Sequence, residues 1–315
     1  MTDTDLASPP DDLGLERDVS LSRHTYLRIG GPAAFLGVPE DMAQLERIAA
    51  WAHTQALGLR VIGGGSNVLI ADEGVHDVVV SLRKACGGIA FGSTEVMAAA
   101  GAGAGVMLPA LARAAAERDL GGLEFAIGIP GSVGGALQTN AGIGDGRCLG
   151  DLVRSVEVLR AGARVTLRAD EIAFAYRKTS LRGSDDIVLG ATLDLVPRPR
   201  AEIDAEMRRL LEARQRTQPT AEPNAGSIFR NPPNDSAGRL IDVAGCKGLA
   251  VGHAQVSTLH ANFIVHDGQG TATDIAALMA EVQHRVLATS GIRLRPEVEW
   301  WGPGDQPEAW KSLDA

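Results

Sequence analysis

Residues Leu123 to Gly142 read LEFAIGIPGSVGGALQTNAG, with Gly128, Gly131, Gly134, Gly135 and Gly142 set among apolar residues and one proline, Pro130. Glycine loses more backbone freedom on folding than any other residue, so such a cluster needs a physical reason. Backbone at positive φ is one reason. Backbone pressed against a flat or charged partner is another. A surface linker would be polar and rich in Gly and Ser, whereas this stretch is apolar and closes on two hydrogen-bonding side chains, Thr139 and Asn140. It reads as buried backbone wrapped around a cofactor, or as a tight bend in a buried sheet; taken alone the stretch supports both.

A second glycine run precedes it. Arg60-Val61-Ile62 reads as a buried strand entering Gly63-Gly64-Gly65-Ser66-Asn67. Consecutive backbone N–H groups in such turns form concave anion nests suited to a pyrophosphate, and Ser66 and Asn67 add side-chain donors. The run GAGAG, Gly101 to Gly105, reads as a further permissive turn. Two nests in a strand-rich half favour a dinucleotide held without a Rossmann fold. The Rossmann fingerprint itself is absent, because the third glycine position after Gly101 and Gly103 is Val106. No Walker lysine follows a glycine run at the right spacing. The GxSxG elbow fails at Val68.

The rest of the chain sets limits on function. A formal net charge of −9 argues against a nucleic-acid surface. Cys86, Cys148 and Cys246 are scattered, which supports neither a disulfide framework nor a zinc site and suits a reducing cytoplasm. His253, His260 and His266 lack the spacing of metal ligands. The first twelve residues, MTDTDLASPPDD, lack a signal-peptide pattern, and no apolar run is long enough to span a bilayer.

The pattern predicts a disordered tail over 1–20 and a first domain over 21–200, with subdomains at about 21–85 and 86–200. A second domain follows over 201–303, then a tail over 304–315. Helices are expected after Asp41, over Leu108 to Arg118 ending at Gly121-Gly122, over Glu202 to Arg216, near Leu240, and through Ile275, Leu278, Met279, Val282 and Val286. Strands are expected at Val96 to Ala100, Val153 to Leu159, Ile187 to Leu195, Ile228-Phe229 and through Val298. Three polar residues stand in informative places. Ser227 lies in GSIFRNPP, where a backbone-capping role is the plain expectation, and Arg177 lies in a loop between strands. Glu297 lies in LRPEVEW, where alternation puts it with Glu299 on one face and does not choose between them.

Taken together, the segments resemble one family, UDP-N-acetylenolpyruvoylglucosamine reductase (MurB). They are HTYLRIGGPA, VIGGGSNVLIADEG, GLEFAIGIPGSVGGALQTNAG, AYRKTS, RQRTQP, AGSIFRNPP, AGRLID, VSTLHANFIVH, GTATDI and LRPEVEWWG, in family order from His24 to Gly302. The resemblance implies an α+β fold: an FAD-binding domain of the vanillyl-alcohol-oxidase/MurB type plus a C-terminal α+β substrate-binding domain. It implies noncovalent FAD, NADPH as hydride donor and UDP-N-acetylglucosamine enolpyruvate as substrate, with no nucleic-acid or membrane partner. By position, Ser227 resembles the proton donor, and Arg177 and Glu297 the pair that stabilises the enolate. Gly63, Gly64, Gly65, Ser66, Asn67, Ile129, Pro130, Gly131, Ser132, Gly134 and Gly135 resemble FAD contacts, and Arg214 an arginine near the cofactor.

The chain departs from the family pattern at His24, Thr179, Arg230 and His266. It resembles the shorter subtype that lacks a substrate-capping tyrosine loop, since its only tyrosines are Tyr26 and Tyr176. A rival in the same fold is an FAD oxidase or dehydrogenase for a hydroxy acid or sugar. A rival of another class is a noncatalytic nucleotide-sugar-binding protein.

Overall fold

A capping aspartate, a proline, two capping serines and one capping box account for where five of the helices begin. In the computed structural model, which describes residues 7–93 and 98–311, Asp41 accepts a hydrogen bond from the Gln44 N–H at 2.8 Å and starts helix α1 (Met42–Thr54), which buries Leu45, Ile48 and Ala52. Helix α2 (Leu108–Ala116) has proline in its first turn, where the missing N–H costs nothing. It stops short of the expected Gly121-Gly122 cap because the chain turns at Asp119, with φ at 57°. Gly121 is instead paired with Val196. Ser132 caps helix α3 (Val133–Thr139), which ends on Asn140 in the left-handed conformation. Helix α4 spans Arg200–Thr217.

The chain divides into two interleaved compact units, Met1–Arg17 with Phe35–Gly64 and Asp77–Ala213, and Asp18–Ala34 with Gly65–His76 and Arg214–Ala315. This differs from the expected succession of segments broken at 20, 200 and 303. Nor is 1–20 featureless: Asp11–Leu13 form a 3-10 turn and Leu15–Ser20 a strand, while residues 1–6 lie outside the described residues. The expected C-terminal tail carries a 3-10 turn at Glu308–Trp310, and the Trp310 Nε1–H donates to the Val298 carbonyl at 3.0 Å.

The first unit is built on an antiparallel sheet in the order Ala163–Arg168, Val153–Arg160, Ile187–Pro197, Ala98–Gly103, Ile89–Ser93. The strand Ala98–Gly103 runs through the first part of the segment expected to be a GAGAG turn; residues 96 and 97 of the expected strand lie outside the described residues. Close approach accounts for two glycines of this sheet. A Cβ on Gly103 would lie 2.2 Å from the Cys86 carbonyl oxygen, and one on Gly190 of the neighbouring strand 2.8 Å from that of Ala102. Leu59–Val61 pairs in parallel with Val78 to Val80.

The second unit has its own core, in which Leu69, Ile228, Phe229, Ile241 and Leu278 pack together. Helix α5 (Ala237–Val243) is capped by Ser236. Helix α6 (Ala272–Ser290) buries Ile275, Leu278, Met279, Val282 and Val286 as its spacing requires. Thr271 and Asp274 form its capping box, and Gly291 closes it at φ 71°. The strand expected through Val298 is shorter than alternation suggests. Only Glu299–Trp301 is regular, parallel to Val68–Ile70, and the segment before it makes one bridge, Pro296 to Phe229. Pro296 has no N–H to extend a ladder.

Candidate active site

In the first unit the two glycine turns meet. A Cβ on Gly64 would lie 2.9 Å from the Gly131 Cα, and one on Gly63 2.3 Å from the Ser132 Oγ. The second turn is locked by its own backbone: the Leu108 N–H donates to the Gly131 carbonyl at 2.9 Å, and the Val133 and Gly134 N–H groups donate to the Val106 and Ala104 carbonyls. The nest there is smaller than its glycine content suggests, because those two donors are engaged. Ser132 is buried, and its hydroxyl accepts from the Gly135 N–H as the cap of α3. Ile129, Pro130 and Gly131 are half-buried, while Gly63 and Gly135 expose bare backbone.

Arg177 belongs to the same unit and sits at the tip of a small hairpin, Phe174–Ala175 paired with Lys178–Thr179. Its φ is 53°, a left-handed conformation uncommon outside glycine, asparagine and aspartate. The hairpin is tied to α3 at two points. Asn140 Nδ2 donates to the Ala175 carbonyl at 3.1 Å, and the Thr179 hydroxyl donates to the Gln138 carbonyl at 3.1 Å. Thr179, where the family pattern has serine, keeps the hydroxyl and is buried. The Arg177 guanidinium lies 5.5 Å from the Tyr176 ring centroid. Backbone in this region persists only where the surrounding structure holds it, here the hairpin and its two ties to α3.

In the second unit, Gly65 has φ 61°, and a Cβ there would lie 2.0 Å from the His24 carbonyl oxygen, so protein packing alone requires glycine. Ser66 is half-buried. The Asn67 side chain donates to the Glu297 carbonyl at 3.2 Å, and the Asn67 carbonyl accepts from the Glu299 N–H at 3.0 Å. Glu297 in turn donates its N–H to the Ile228 carbonyl at 2.7 Å, one residue from Ser227. This separates the two glutamates that alternation left equivalent. Glu297 is held opposite the serine segment, whereas the Glu299 carboxylate accepts from the Trp301 indole at 3.0 Å. Ahead of Ser227, Asn224 accepts from the Gly226 N–H at 2.9 Å.

Arg214 is half-buried near Tyr26, and burial lowers its pKa. His266, where asparagine is frequent, is buried; its Nε2 donates to the Leu27 carbonyl at 2.7 Å and its Nδ1 accepts from the Gly268 N–H. Among the described residues no group of three or more His, Cys, Asp or Glu side chains could hold a metal ion. A groove of about 480 Å³ in the second unit is lined by Glu73, Thr273, Trp300 and Asp305 among others, and none of the candidate site residues lines it. No helix among the described residues is long and apolar enough to cross a membrane.

Comparison with known proteins places this geometry. Residues 218–301 match the family model of the UDP-N-acetylenolpyruvoylglucosamine reductase C-terminal domain, and residues 33–167 that of an FAD binding domain. UDP-N-acetylenolpyruvoylglucosamine reductase 2 of Symbiobacterium thermophilum is 44% identical over 288 residues, covering 91% of this chain and 92% of that one. The chain belongs to the UDP-N-acetylenolpyruvoylglucosamine reductase family. The reductase of Moorella thermoacetica is 45% identical over 285 residues, covering 90% and 92%. The crystal structure of the MurB of Thermus caldophilus superimposes with a TM-score of 0.76 at 38% identity, covering 91% and 98%.

Membership makes the chain a flavin-dependent oxidoreductase built from an FAD-binding domain and a MurB C-terminal domain. The first unit fits the cofactor. Its glycine turns abut with only the Ser132 side chain and the Met107 methyl at their contact, and a Cβ added to Gly135 would meet nothing outside its own helix backbone nearer than the Ser132 Oγ at 3.7 Å. One residue escaped sequence reasoning altogether. Asn262, between Ala261 and Phe263, is 4% exposed and hydrogen-bonds the backbone after Ser227. A lone asparagine flanked by apolar residues was the only signal available.

Proposed function

We propose that this chain reduces the enolpyruvyl ether of UDP-N-acetylglucosamine to UDP-N-acetylmuramate in the cytoplasm, using NADPH. Bound FAD supplies hydride transfer from the nicotinamide to C3 of the enolpyruvyl group. Negative charge then develops on C2 and the adjacent carboxylate. The Arg177 guanidinium, carried on an anchored hairpin, offers fixed positive charge to that region, the kind of preorganised field that lowers such barriers most. A bare carboxylate would repel the same charge, so Glu297 helps there by carrying or sharing a proton. Ser227 delivers the proton to C2. A serine hydroxyl is a weak acid, and it serves here because the enolate is a strong base.

The observation that carries this reading is the 2.7 Å bond from the Glu297 N–H to the Ile228 carbonyl. It puts two of the three candidate groups on directly hydrogen-bonded backbone. Gly63, Gly64, Gly65, Ser66, Asn67, Ile129 to Ser132, Gly134, Gly135 and Arg214 are proposed as flavin contacts. The test is an anaerobic spectrum of the purified protein. Yellow protein that bleaches with NADPH and regains colour with the enolpyruvyl substrate supports the reading. Bleaching by a hydroxy acid or sugar, with no response to NADPH, contradicts it.

A further inference from the structure

The Ile228–Phe229 backbone is gripped from two sides, and only one side is a strand. On the first, the antiparallel bridge between Phe229 and Pro296 is flanked by two bonds, Arg230 N–H to the Arg295 carbonyl at 2.9 Å and Glu297 N–H to the Ile228 carbonyl at 2.7 Å. In an antiparallel pair of this kind, the N–H and C=O of the bridging residue itself point away from the partner strand. For Phe229 they point to one side chain. Asn262 Oδ1 accepts from the Phe229 N–H at 3.0 Å, and Asn262 Nδ2 donates to the Phe229 carbonyl at 2.7 Å. The Asn262 carbonyl accepts from the Ile228 N–H at 3.0 Å.

The amide orientation is fixed by chemistry. A backbone N–H only donates and a carbonyl only accepts, so a flipped amide would break both bonds. Asn262 therefore substitutes for a strand edge. It is held in place because its own N–H donates to His260 Nδ1 at 3.2 Å. Buried polar groups left unmatched are costly, so this residue is tuned to one position of the Phe229 peptide.

We propose that Asn262 is a positioning residue for the protonation step, fixing the backbone that carries Ser227 in register with Glu297. The inference rests on the role proposed above for Ser227. Asn262 touches no reacting atom; it acts through the two peptides that follow the serine.

Three single holoenzyme variants, Asn262→Ala, Asn262→Asp and Ser227→Ala, and the two doubles that combine each Asn262 change with Ser227→Ala test it. Asn262→Asp has the size of the parent and keeps the acceptor for the Phe229 N–H but loses the donor to its carbonyl; retained FAD and reductive rate in each variant guard against simple unfolding. NADPH-driven flavin reduction and flavin reoxidation by substrate are timed separately. The Asn262 variants should keep their FAD and their reductive rate. Their reoxidation should slow roughly 10–100-fold, the scale of a reacting group displaced by about an ångström. In the Ser227→Ala background they should slow it no further, because the group they position is gone. Amide hydrogen exchange at Phe229 should quicken in Asn262→Ala, a readout independent of turnover.

Normal reoxidation in both Asn262 variants, while Ser227→Ala is slow, overturns the positioning role alone. So does an equal further slowing in the Ser227→Ala background, or a parallel loss of both half-reactions. Normal reoxidation in Ser227→Ala itself overturns the reading on which the inference rests, and the inference with it.

Discussion

Gly134 and Gly135 are neighbours with different reasons for being glycine. A Cβ on Gly134 would lie 2.9 Å from that of Ala104, so the protein's own packing excludes it. On Gly135 it would meet only the Ser132 Oγ at 3.7 Å, an ordinary contact, on an exposed face of α3. A β-carbon at 135 is therefore compatible with the protein alone, and valine is a better helix former than glycine by about 0.3–0.5 kcal/mol. Gly135→Val should leave the melting temperature of the flavin-free protein unchanged or slightly higher and lower the FAD content after purification. Absorbance at the flavin band against protein concentration checks it; full occupancy would remove Gly135 from the cofactor contacts. At this scale the sequence showed that glycine was required but not by what. Gly65 and Gly134 answer to protein atoms, and a one-dimensional pattern cannot tell that demand from a ligand's.

Helix α6 shows how an element is completed by residues far away in sequence. Thr271 caps it locally, but the Ala272 and Thr273 N–H groups donate to the Asp72 carboxylate at 2.8 and 3.0 Å, and the Thr273 hydroxyl does so at 2.7 Å. An anion at a helix N-terminus is favourable on both capping and dipole grounds. Asp72→Ala should destabilise the protein by about 1–2 kcal/mol, the usual cost of a lost cap, and Asp72→Asn by less; urea midpoints at constant m-value measure it. The turn before the Ile264–His266 strand makes a pH-dependent contribution. Burial, with the Lys247 charge acting in the same direction, holds the His260 pKa below 6.5. Below pH 6.5 the unfolded chain takes up a proton that the folded one resists, so stability falls as pH drops toward the folded-state value and levels off beneath it. His253 has the opposite sign: Asp267 raises its pKa, so its contribution is complete below 6.5 and fades as pH rises through the folded value. His260→Asn keeps an acceptor for the Asn262 N–H and removes the titration. Its loss of stability between about pH 7.5 and 5 should be smaller than the parent's, and an equal loss would contradict the assignment.

For the whole molecule, elements were legible where a period or a cap decided them. Helices α1 and α6 followed from Asp41 and from the Ile275 to Val286 stripe. The strand Ala98–Gly103 did not, because alanine and glycine are poor strand formers, and the approach of the Cys86 backbone that requires glycine at 103 is long-range. The interleaving of the chain, which assigns Gly64 to one unit and Gly65 to the other, leaves no local signal at all. Of the proposed catalytic set, Arg177 belongs to one unit and Ser227 and Glu297 to the other. Residue types and order named all three through the family resemblance, and backbone hydrogen bonding gives Glu297 and Glu299 different partners, Ile228 and Asn67. The intact holoenzyme is therefore the right object for the decisive test, which times its two half-reactions by stopped flow in Ser227→Ala. Flavin reduction by NADPH needs no proton on substrate carbon and should proceed at nearly the parent rate. Reoxidation by the enolpyruvyl substrate should slow by roughly 10²–10⁴-fold, as expected for loss of a general acid, with substrate affinity little changed. Equal reoxidation in variant and parent, or an equal loss in both half-reactions, would contradict the account.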